Sequence, residues 1–68
     1  MDSNLIRFIR LSRGLSQQEL ADLLGVSKTL VCLIEKNKKN MSDNVRRKFR
    51  VAFGNEYIEK CRAFLEQN

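Results

Sequence analysis

The chain has 68 residues, 43% of them apolar, with no proline, no histidine and a net charge of +5. That is enough apolar surface for one small core over residues 1–68 and too much for a disordered chain. No apolar run approaches the roughly 20 residues that cross a bilayer, and Arg7 and Arg10 break the Leu5 to Leu11 stretch, so neither a membrane partner nor a signal peptide is expected and the cytosol is the expected location.

Apolar spacing predicts helices throughout, with no sustained alternation of period two. The first runs from about Ser3 to Arg13, with Leu5, Ile6 and Ile9 on its inner stripe and Gly14 as its left-handed stop. The second spans about Gln17 to Leu24. Ser16 and Glu19 form a capping box at its start, Leu20, Ala21 and Leu24 face inward, and Gly25 ends it. A third begins after the cap Ser27, directs Val31 and Ile34 inward, and ends near Lys36. A polar, basic loop from Asn37 to Met41 follows. The fourth helix starts after Ser42, carries the stripe Val45, Phe49, Ala52 and Phe53, and stops at Gly54. The fifth begins after Asn55 and runs to about Gln67, with Tyr57, Ile58, Cys61, Phe64 and Leu65 on one face. The expected fold is therefore all-α, a bundle of five short helices.

Residues 17–36 read QQELADLLGVSKTLVCLIEK. Two short helices meeting steeply need a small residue where they approach, and Ala21 stands there. They need a residue that accepts positive φ in the turn, and Gly25 is one. They need apolar anchors, supplied by Leu20, Leu24, Val31 and Ile34, with Val26 closing the turn. The pattern predicts a helix-turn-helix unit. The excess of 13 Lys and Arg over 8 acids favours a polyanionic partner, nucleic acid ahead of an anionic membrane.

Over about residues 4–65 the sequence resembles the Cro/C1-type repressors of the XRE family. The resemblance lies in Arg10, the run Ser16-Gln17-Gln18-Glu19-Leu20-Ala21, the turn Gly25-Val26 and the pair Ile34-Glu35. It implies a lambda-repressor-like fold in which Arg10 pairs with Glu35; the alternative is two independent surface charges. It also implies binding to a double-stranded DNA operator, with the helix starting near Ser27 in the major groove. Base edges are then the expected targets of Ser27, Lys28, Thr29, Cys32 and Leu33: Lys28 donating to guanine, Thr29 to a base or a thymine methyl, Cys32 and Leu33 touching thymine methyls. Gln17 resembles the family's phosphate-contacting glutamine, and Lys36, Lys38, Lys39 and Asn40 are placed to hold the backbone beyond the reading helix. The third helix departs from the family in its apolar character, carried by Leu30, Cys32 and Leu33, and burial of Leu30 against a neighbour is the expected outcome there.

The family binds as a symmetric dimer, so a homodimer is expected, at least on DNA. The fifth helix is a candidate interface, if its apolar face exceeds what one small core covers. A Cro-like repressor of phage or mobile-element type is the favoured function. The alternative is a protein-binding module, an antirepressor or an antitoxin, using the third or fifth helix. No nucleophile stands beside a base and no phosphate loop is present, so catalysis, a cofactor and a small-molecule ligand are not expected. Cys32 and Cys61 alone are too few for a zinc site, and a disulfide is not expected in a reducing cytosol.

Overall fold

The computed structural model describes residues 2–67. Among them the backbone forms five helices and no strand: α1 Ser3–Ser12, α2 Gln17–Leu24, α3 Lys28–Glu35, α4 Asp43–Phe53 and α5 Asn55–Glu66. Four of the five start where a short polar side chain replaces an absent backbone acceptor. Asp2 Oδ1 accepts from the amide of Asn4 at 2.7 Å, Ser27 Oγ from Leu30 at 3.1 Å and Ser42 Oγ from Val45 at 3.2 Å. At α2 the box is reciprocal: Glu19 donates its amide to Ser16 Oγ, and Ser16 donates its amide to Glu19 Oε1. These bonds from the Ser16 amide, and then from its hydroxyl, hold the Glu19 carboxyl below its ordinary pKa. A depressed carboxylate stabilises the fold above its unfolded pKa, and loses that contribution as the pH falls through the folded value. Melting curves of the wild type and Glu19→Gln should therefore converge in acid; a gap that ignores pH would contradict this.

Three helices end in the same way. The amide of Leu15 reaches back to Arg10 O, that of Val26 to Ala21 O and that of Lys38 to Leu33 O, with Gly14, Gly25 and Asn37 at positive φ in between. This is the left-handed stop that satisfies the last carbonyls of a helix. At Gly25 (φ 67°) a Cβ would meet only Lys48 Nζ, at 3.5 Å, which is ordinary contact. The requirement for glycine is therefore conformational. Gly25→Ala should cost about 1–2 kcal/mol, read as a fall in the urea midpoint at unchanged slope; no fall would remove the argument. At the other chain reversal, Gly54 (φ 84°, ψ 140°) ends α4 and immediately precedes α5, which starts on Asn55 itself and carries no side-chain cap.

The core draws Leu5, Ile6 and Ile9 from α1, Leu20, Ala21 and Leu24 from α2, Val31 and Ile34 from α3, Val45, Phe49 and Phe53 from α4, and Ile58 and Cys61 from α5. Helices α2 and α3 pack on one another most extensively, α1 and α4 brace them, and α5 closes the far side on α1 and α4. The expected inner faces need three corrections. Ala52 is exposed, because the α4 stripe centres on Phe49 and leaves position 52 at its uncovered edge. Phe64 is 54% exposed: Ile58 and Cys61 occupy the centre of the α5 contact, Tyr57 and Leu65 flank it half-buried, and Phe64 is displaced to the rim. Met41 is buried in the core although it stands in a polar loop. Leu30, as expected, packs partly buried against the core. Both thiols are free.

Candidate nucleic-acid interface

The backbone geometry of α2 and α3 decides which side chains reach out. With Val31 and Ile34 turned to the core, residues 28, 29, 32 and 33 share the opposite face of α3. Lys28 and Thr29 are exposed, and Cys32 and Leu33 are half-buried. Together with Gln17 from the start of α2 they line one shallow, open depression. Its floor is a thiol and an aliphatic side chain; its rim is an ammonium, a hydroxyl and an amide. Ser27 precedes Lys28 and is exposed; its Oγ is engaged as the helix cap and its O–H remains a donor. By helix geometry the first-turn amides of Gln17 and Gln18 in α2 have no intrahelical acceptor, and such amides suit a phosphate.

Arg10 and Glu35 set the orientation of α3 against the rest of the molecule. Arg10 Nε donates to Glu35 Oε2 at 2.7 Å and Arg10 Nη2 to Glu35 Oε1 at 3.0 Å, a two-pronged contact. The third prong, Arg10 Nη1, donates to Leu15 O at 2.8 Å in the α1–α2 connection. The Glu35 side chain is only 4% exposed and that of Arg10 10%. Gln17 Nε2 also donates to Glu35 Oε1, at 3.2 Å. One carboxylate therefore ties together α1, the start of α2 and the end of α3. The Gln17 amide nitrogen, expected to face a phosphate, is engaged by Glu35 through this bond.

Beyond α3, Lys36, Lys38, Lys39 and Asn40 are all exposed. Asn37, at φ 60°, closes α3 and sets the direction in which this loop leaves. The sequence carried that signal, since asparagine is the usual substitute for glycine at a left-handed stop. A further cation emerges from the tertiary structure. Arg7 lines a hollow with Arg10, Gln17, Glu35 and Lys36, so it stands beside the basic end of α3. Its spacing of three from Arg10, on the same side of α1, was the only trace of this in the sequence.

A short exposed helix with a polar rim, locked by a buried ion pair and followed by a basic loop, defines a helix-turn-helix DNA-binding domain on a lambda-repressor-like fold. The profile of the family described as Helix-turn-helix matches residues 6–45, more than half of the chain, and the chain belongs to that family, of the Cro/C1 type. It is a DNA-binding regulator of the helix-turn-helix class. Comparison with curated proteins and with solved structures gave no match. Among the described residues, no helix is long and apolar enough to cross a membrane.

Proposed function

We propose that the protein is a Cro-like repressor, acting in the cytosol, that reads an operator half-site through the depression on α3. The observation that carries this reading is the convergence of Gln17, Lys28, Thr29, Cys32 and Leu33 on one open surface. Lys28 donates to guanine O6 and N7, Thr29 bonds a base edge, and Cys32 and Leu33 take thymine methyls. Ser27 assists at the N-terminal end of the helix. The amides at Gln17 hold one phosphate, and Lys36, Lys38, Lys39 and Asn40 hold others, which gives affinity and register without sequence information. Two such domains bind a pseudo-palindrome. Phe8 and Leu11, on one side of α1, and Phe64, stacked on Phe8 at 5.6 Å between ring centroids, form the apolar face on which a second copy packs.

Selection from a random duplex library tests the whole reading. A palindromic site with half-sites about one turn apart is expected; no enriched site from folded protein would overturn it. Within the selected site, Lys28→Ala should change which base is preferred at one position, with a loss of about 1–3 kcal/mol there. Lys38→Ala should weaken all duplexes alike. Uniform loss for Lys28→Ala would remove that residue from base reading.

A further inference from the structure

Helix α4 has a second patterned face that neither the core nor the proposed reading surface uses. Asn44, Arg47, Lys48, Val51 and Ala52 recur at helical spacing and, with Leu23 of α2, line a groove between the two helices. Val51 is 81% exposed and Leu23 53%. Apolar residues scattered singly on a surface are ordinary; these come from two helices and meet in one concavity. A β-branched valine on a solvated helix face gains nothing in helix propensity, and nothing else in the fold occupies it. The groove is graded along α4, with Arg47 and Lys48 toward the N-terminal end and Val51 and Ala52 toward the other, and Leu23 of α2 faces it from across the groove. Lys48 Nζ lies near Gly25, at the C-terminal end of α2, which favours a cation there.

We propose that this groove docks an acidic amphipathic helix of a partner protein, its apolar end on Leu23, Val51 and Ala52 and its carboxylates on Arg47 and Lys48. Charge decides the occupant. The only ionised side chains in the lining are these two cations, so a second copy packed face to face would set like charges together. A polyanion would leave the aliphatic floor unused. The groove shares no residue with the depression on α3, so both surfaces can be occupied at once. From Asn44 to Ala52 the groove runs about 12 Å at 1.5 Å per residue, which seats roughly two turns of a partner. Such a contact is far smaller than a stable interface and binds weakly and reversibly.

The test uses two synthetic helical peptides that share a leucine face, one flanked by glutamates and its twin by lysines, titrated into the isotopically labelled full chain and followed by NMR. The acidic peptide should give saturable shifts at Leu23, Arg47, Val51 and Ala52. Its affinity should fall about tenfold in Val51→Glu and in Arg47→Glu, each with an unchanged melting temperature, and should fall again with added salt. The lysine twin should not saturate. Equal binding of the two peptides, no saturable shift, or shifts centred on residues 28–33 or on Phe8 and Phe64 would overturn the proposal. So would concentration-dependent self-association abolished by Val51→Glu, which would make the occupant a second copy. The altered base preference of Lys28→Ala leaves these outcomes unaffected, so the two readings fail separately.

Discussion

Glu35→Ala is expected to unfold a large share of the molecules at physiological temperature. Removing one member of a buried ion pair strands the other charge, at about 3–5 kcal/mol, whereas a chain of this length holds roughly 3–10 kcal/mol in total. Arg10 would lose both of its carboxylate contacts, and Gln17 would lose its acceptor. The loss should appear as a lower denaturant midpoint with the slope unchanged. Arg10→Met combined with Glu35→Leu should recover much of it, because an apolar pair of similar volume leaves no unpaired charge. A single-variant loss below about 1 kcal/mol would mean that the pair behaves as exposed charges do.

DNA affinity is expected to fall about a thousandfold between 50 and 200 mM salt. Lys36, Lys38 and Lys39 on each of two domains make about six phosphate contacts, and each contributes roughly 0.9 to the slope of log affinity against log salt. The slope should therefore be near −5. Lys39→Ala should reduce it by about two in a dimer, one for each domain. A slope close to zero would mean that the loop lysines do not grip the backbone. It would also return weight to a partner that recognises apolar surface.

The elements were legible because their signals are local. Each serine before a helix and each glycine after one acts on amides and carbonyls within five residues, and so does the Ser16–Glu19 box. Ala21 and Gly25 report the steep crossing of α2 and α3 just as directly. Placing Lys28 and Thr29 outward needed only the inward period of Val31 and Ile34. The turn of the Gln17 amide toward Glu35, the place of Arg7 beside Lys36, the burial of Met41 and the exposure of Ala52 and Phe64 were not legible in this way. Each depends on what stands across a helix–helix contact, and periodicity names a face without naming what covers it.

Five helices, their stops, a basic surface and a two-helix unit with a glycine turn can be read from residue order alone. Capping, helical period and net charge are properties of short segments and of composition. Only the packing of helix on helix brings one carboxylate to α1, α2 and α3, and sets Leu23 and Val51 in the lining of one groove with Arg47 and Lys48. It also decided which apolar side chains of α4 and α5 stay in water. Those outcomes depend on how far each helix is rotated against its neighbours, and that rotation is set by the packing of the whole core at once.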